Sequence, residues 1–141
     1  MTVVLITGSD DALLAEAVRD AVEEALGGEN KSLAVEELTE ENYRVDHEFE
    51  IARLVDAVQT APFLTRHRVV VGRHIGRFGR SEAIAPLVAY LEAPLPTTSL
   101  VLVWERGVEP VQQRLSPVPK ALSEAVVANG GDVLKCDIGR G

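Results

Sequence analysis

Cys136 is the only cysteine in 141 residues, so the chain has no disulfide framework and cannot build a thiolate metal cluster. Aromatic residues are scarce at 4%, which makes the placement of each one informative. No apolar run approaches the roughly 20 residues needed to span a bilayer. The opening Met1-Thr2-Val3-Val4 has no basic stretch or cleavage site of the kind that marks a signal peptide. Gly-x-Ser-x-Gly, the nucleophile elbow of acyl-transfer enzymes, is absent. His47, His67 and His74 do not fall at metal-ligand spacing, and no second cysteine completes a zinc set. These absences exclude a disulfide-stapled scaffold and point to a cytoplasmic chain with no membrane partner, no metal and no cofactor.

What is present is enough for a core. Hydrophobic residues make up 46% and charged residues 26%, the composition of a folded globular chain. At this length a core forms without staples, and the expectation is one domain over 1–141. The formal net charge is -8, which argues against free nucleic-acid binding as a bulk property. The charge is uneven. Up to Thr65 there are fifteen acids and four basic residues; from Arg66 onward there are ten basic residues and seven acids. Arg66, Arg68, Arg73, Arg77 and Arg80 fall within 66–80 with no acid between them. They read either as a solvated rim or as a face toward an acidic partner or a DNA backbone.

Hydrophobic patterning gives an alternation of strands and helices. Val3-Val4-Leu5-Ile6 reads as a strand buried on both faces. Gly8 breaks it, and Ser9 or Asp10 caps a helix whose stripe runs from Leu13 through Val18 and Val22 to Leu26. Ser32-Leu33-Ala34-Val35 reads as a weak second strand. A helix is expected over about 46–59, ended by Pro62. Further elements are a strand over Arg68 to Val71, a helix over 81–92, a strand over 100–104, a helix from near Pro117–Pro119 to Ala128, and a strand over 133–136. Five strands joined by helical crossovers require an α/β fold: a parallel sheet with helices on both faces and right-handed connections.

Ligands in such sheets bind beyond the carboxyl ends of the strands, so the first strand-to-helix turn is where a phosphate site would be built. A P-loop starting at Gly8 needs Gly, Lys and a hydroxyl residue at positions 13, 14 and 15. Those positions hold Leu13, Leu14 and Ala15. The metal-holding acid expected at the end of the valine strand is also missing, since the sequence there is Val71-Gly72-Arg73. Asp10 and Asp11 read as acids at a helix amino terminus. The alternative is a divergent receiver or nucleotide-hydrolysing domain that uses them with magnesium. Thr60-Ala61-Pro62-Phe63-Leu64 places an aromatic on a proline-stiffened segment. Phe63 there either closes the core or forms an exposed wedge that fills a partner's pocket.

The chain resembles the N-terminal domain of the delta subunit of bacterial DNA polymerase III, part of the clamp loader. The resemblance rests on Leu5-Ile6-Thr7-Gly8-Ser9-Asp10, on Pro62-Phe63-Leu64 followed by Arg68-Val69-Val70-Val71, on the run from Tyr90 to Leu102, and on Lys120-Ala121-Leu122. It implies an AAA+/P-loop-like three-layer fold whose nucleotide site, at Gly8, Ser9, Asp10 and Asp11, is degenerate. It also implies a non-catalytic domain that binds the DNA sliding clamp through Pro62, Phe63 and Leu64 and helps open the ring during replication. The family usually carries leucine where this chain has Pro62, so Leu64 is a candidate for the aliphatic half of that contact. The family's lid and collar domains, which join the other clamp-loader subunits, are not in this sequence. The five arginines of 66–80 would add an electrostatic contact to the clamp or to DNA within the assembly.

Overall fold

The computed structural model describes residues 2–62 and 64–136. Its first strand, β1 (Val3–Thr7), leads through a three-residue turn into α1 (Asp11–Leu26). The Asp10 carboxylate accepts a hydrogen bond from the Leu13 N–H, and Gly27 ends the helix in the left-handed region at φ 55°. Then come α2 (Lys31–Ala34), β2 (Val35–Leu38), α3 (Glu40–Tyr43), β3 (Arg44–Val45), β4 (Glu48–Phe49) and α4 (Ala52–Val58). The second half contains β5 (Arg68–Gly72), a 3-10 turn at Ile75–Arg77, α5 (Ser81–Tyr90), β6 (Thr98–Trp104), α6 (Lys120–Ala128) and β7 (Asp132–Lys135).

Five strands form one parallel sheet in the order β2-β5-β6-β1-β7, the α/β architecture expected from the patterning. Alternation along the strands sends side chains to two cores. Val4, Ile6, Val69, Val71, Val101 and Val103 meet the Leu14, Val18 and Val22 stripe of α1. On the opposite face Leu5, Val70, Leu100 and Leu102 meet α4, α5 and α6 through Leu54, Val58, Ile84, Leu87, Leu122 and Val126. Each such side chain contributes about 1.5–3 kcal/mol on leaving water. β6 is buried along its whole length and is the spine of both cores. Trp104 at its end is fully buried and donates its Nε1–H to the Ser116 carbonyl at 2.7 Å.

Two expectations shift. The strand expected at 32–35 begins at Val35, because Asn30 caps a helical turn ahead of it: its Oδ1 accepts from the Ser32 N–H at 3.0 Å. The helix expected over 46–59 begins only at Ala52. Residues 40–49 instead make a short helix and a two-stranded hairpin, in which Asp46 takes φ 58° at the turn. Asp tolerates that left-handed geometry better than most residues. Phe49, within the span of that expected helix, instead packs its ring against the guanidinium groups of Arg44 and Arg77, at 4.9 and 4.3 Å.

Candidate functional site

The sheet order creates a crevice. Strands β1 and β6 are neighbours, yet the chain leaves β1 toward one edge of the sheet and leaves β6 toward the other. This is the switch point where α/β sheets place ligands. A cleft of about 170 Å³ lies there, lined by Gly8, Ser9, Asp11, Glu105, Arg106 and Gln112 among others. It is smaller than the roughly 300–1,000 Å³ of ordinary small-molecule sites.

The turn beneath it is too short for the loop of a P-loop. Only Gly8, Ser9 and Asp10 separate β1 from α1, so Leu13, Leu14 and Ala15 lie within the helix and not in a loop. The Asp10 Oδ1 sits 3.0 Å from the Leu13 N–H, in the place where an anionic ligand would be held at a helix amino terminus. Asp10 therefore serves as the cap, and Asp11 lines the cleft. Gly8 has a steric role: a Cβ there would come within 2.2 Å of the Cys136 carbonyl oxygen, which also accepts the Asp10 N–H at 3.2 Å. Cys136 is buried beside this turn.

The carboxyl ends of β5 and β6 are bridged. Arg73 donates from Nε to Glu105 Oε2 at 2.6 Å and from Nη2 to Oε1 at 3.0 Å, a forked pair, while the His74 N–H donates to Oε2 at 3.1 Å. Hydrogen bonding to Glu105 pushes the Arg73 guanidinium further up. The Tyr43 hydroxyl donates to the Arg73 carbonyl at 2.9 Å, and burial pushes that phenol well up. A basic residue neutralised by a glutamate thus occupies the strand end where a P-loop enzyme carries a metal-holding acid.

A second hub fixes the wall of the cleft. Glu40, 2% exposed, accepts from Arg77 Nε at 2.6 Å and from the N–H groups of Val108 and Glu109 at 2.9 and 2.6 Å. Burial pushes its carboxyl up, but those three hydrogen bonds outweigh it and hold the group below the usual carboxylate range. Arg77 also donates to the Pro110 carbonyl. Gly107 leaves room for it, since a Cβ there would lie 2.2 Å from the Arg77 Nε. Gln112 closes the turn, accepting from the Gly107 N–H and donating to the Gly76 carbonyl.

The segment ahead of β5 is braced at both ends. Arg68 donates to the carbonyls of Ala57 and Thr60 and forms an ion pair with Glu36. The Thr65 hydroxyl donates to the His67 carbonyl at 2.7 Å, and His67 Nε2 lies 2.7 Å from Ser99 Oγ. Burial pushes the His67 imidazole down, which favours the neutral ring. Between these braces Pro62 is half-buried and Leu64 is 66% exposed; Phe63 lies outside the described residues.

The five arginines do not form one surface. Arg68, Arg73 and Arg77 are paired with Glu36, Glu105 and Glu40. Arg80 is exposed and 3.7 Å from Glu82, and Arg66 is exposed next to the braced segment. Sequence reasoning missed Glu40 and Glu105 as organising groups. No local pattern links them to arginines 37 and 32 positions away.

A five-stranded parallel α/β domain with a three-residue first turn capped from within by Asp10 is the class defined by these features. Solved structures share the fold. The DNA clamp loader delta protein of Bacillus subtilis matches with a TM-score of 0.66 at 19% identity, over 97% of this chain and 38% of that one. A DNA polymerase III gamma subunit-related protein of Thermotoga maritima matches with a TM-score of 0.57 at 18% identity, over 99% of this chain and 42% of that one. The chain therefore spans about two fifths of the length of these neighbours and shares their fold over that part. No family model and no curated protein matches the sequence. Among the described residues no helix is long and apolar enough to cross a membrane.

Proposed function

We propose that this chain is a clamp-loader domain that binds a DNA sliding clamp through Pro62, Phe63 and Leu64 and helps open the ring, without hydrolysing nucleotide itself. The observation that carries the reading is Leu64: a large aliphatic side chain, 66% exposed, on a segment braced by Arg68, Thr65 and His67. Bracing lowers the conformational entropy lost on binding, so more of the contact energy appears as affinity. Phe63 beside it brings the area of an aromatic anchor, roughly 150–250 Å² when buried.

The non-catalytic half of the proposal is supported by the cleft. Its phosphate position is taken by the Asp10 carboxylate, and its strand ends are tied by Arg73 and Glu105. The same two features give no support to magnesium chemistry at Asp10 and Asp11, because Asp10 is engaged with the helix and no aspartate stands at the end of β5. The domain would act as one unit over 1–141, with assembly into the loader left to segments outside it. Arg66 and Arg80 are the arginines of 66–80 best placed to add electrostatic attraction toward the clamp or DNA. Equilibrium binding to a fluorescently labelled sliding clamp tests the reading: affinity that falls at least tenfold in Phe63→Ala supports it, and unchanged affinity removes it.

A further inference from the structure

Among the described residues the face of the sheet that carries α1 is covered by that helix, with its stripe centred on β1, β5 and β6. Both margins of this face are left as grooves beside the helix. At the β7 margin, a groove of about 220 Å³ has an acidic rim of Asp20, Glu24 and Asp132, in keeping with the overall charge of the chain. The β2 margin differs. Its groove, about 260 Å³, has a floor of Val18, Val22, Val35 and Val71 and a rim carrying Arg19, Lys31 and Glu37. Arg19 and Lys31 are two of only four basic residues in the first 65 positions. Both are exposed, and neither has an ion-pair partner among the described residues. Arg73, at the end of the groove, is neutralised by Glu105 and lies 3.8 Å from the Glu37 carboxylate, which it engages in turn.

The edge beside this groove is a strand without a second neighbour. Among the described residues β2 ends the sheet and pairs only with β5. The Leu38 carbonyl accepts the Arg73 N–H at 2.8 Å and so faces β5. By strand alternation the Glu37 N–H and C=O face the open edge. A free strand edge next to an apolar groove is the geometry of β-strand addition, where main-chain bonds give affinity and alternate side chains give selectivity.

The geometry points to a peptide-docking site: the β2 edge and the α1 groove accept an extended segment of a partner protein in which aliphatic and acidic side chains recur. Aliphatic groups fill the floor over Val35 and Val71, and carboxylates meet Arg19 and Lys31. Charge complementarity selects this occupant: among the described residues Arg19 and Lys31 are left without a carboxylate, whereas Glu37 on the same rim is engaged by Arg73. A second copy of the chain, with a net charge of -8, is disfavoured by overall repulsion. The site is separate from the segment at 60–67 and holds whether or not that segment binds a clamp.

The test is selection from a random peptide library displayed on phage, using the whole chain as bait, beside an Arg19→Glu/Lys31→Glu double variant. Unchanged unfolding of the variant, followed by Trp104 fluorescence, shows that it folds. The expected result is enrichment of sequences mixing aliphatic and acidic residues. A synthetic peptide of the enriched sequence should bind the double variant about five- to tenfold more weakly. It should also bind more weakly as salt rises from about 0.1 to about 1 M, which shortens the Debye length from about 10 to about 3 Å. Bound peptide should slow amide exchange at Glu37. No enrichment, enrichment of basic peptides, or full binding by the double variant would overturn the proposal. Self-association that the double variant abolishes would also overturn it, by making a second copy the occupant.

Discussion

Replacing Glu40 by alanine should be among the most damaging single changes outside the apolar cores. Its carboxylate accepts from Arg77 and from two backbone N–H groups, with side-chain exposures of 2% for Glu40 and 12% for Arg77. Removing it leaves a buried guanidinium without its acid and two amides without an acceptor. Breaking a buried pair from one side costs about 3–5 kcal/mol. For a chain of this size each kcal/mol lowers Tm by about 2–4 °C, so the expected drop is on the order of 10 °C. Glu40→Gln keeps one carbonyl acceptor but turns an amide toward donors, and should lose less. The pH dependence has a definite sign. The folded carboxyl titrates below its ordinary value, so its stabilisation is complete above the usual carboxylate range and fades as pH falls through the lower folded value. Glu40→Gln should flatten that acid limb. Chemical denaturation followed by the emission of Trp104, which is fully buried, reads both effects. A loss under about 1 kcal/mol in Glu40→Ala, or an unchanged acid limb in Glu40→Gln, would refute the reasoning.

Other consequences are equally direct. Gly8→Ala forces a methyl against the Cys136 carbonyl and should cost about 1–3 kcal/mol by denaturation; a neutral result would contradict the described turn. Asp10→Ala removes the α1 cap and should cost about 0.5–2 kcal/mol. It should not create nucleotide affinity in equilibrium dialysis, because Leu14 and Ala15 still stand where a P-loop carries lysine and a hydroxyl. Arg73→Ala removes a forked bond to Glu105 and should cost about 1.5–3 kcal/mol. A stability equal to wild type would show that the bridge between β5 and β6 contributes nothing.

The parts legible in the sequence are those whose structure is set by burial. Three consecutive valines marked β5, and the apolar run ending at Trp104 marked β6, which also takes in Thr98 and Ser99 at its buried start. The stripe from Leu14 through Val18 to Val22 marked α1, although the helix opens two residues before Leu13. Residues 31–49 were less legible because side chains bonding to backbone decide them. Asn30 starts a helical turn, Thr39 and Asn42 cap another, and Asp46 takes a left-handed turn. Apolar spacing carries none of that information. The absence of the P-loop lysine and hydroxyl was readable directly, as Leu14 and Ala15. The pairing of Arg73 and Arg77 was not, since their glutamates come from the end of β6 and from α3.

The central claim, that 62–64 is a binding segment, is tested most directly by calorimetric titration of a sliding clamp with the wild-type chain and with a Phe63→Ala/Leu64→Ala double variant. The account predicts saturable binding by the wild type and a loss of at least about 2 kcal/mol in the double variant, with unfolding by Trp104 fluorescence unchanged. Equal affinity of the two proteins, or no binding by either, would contradict it.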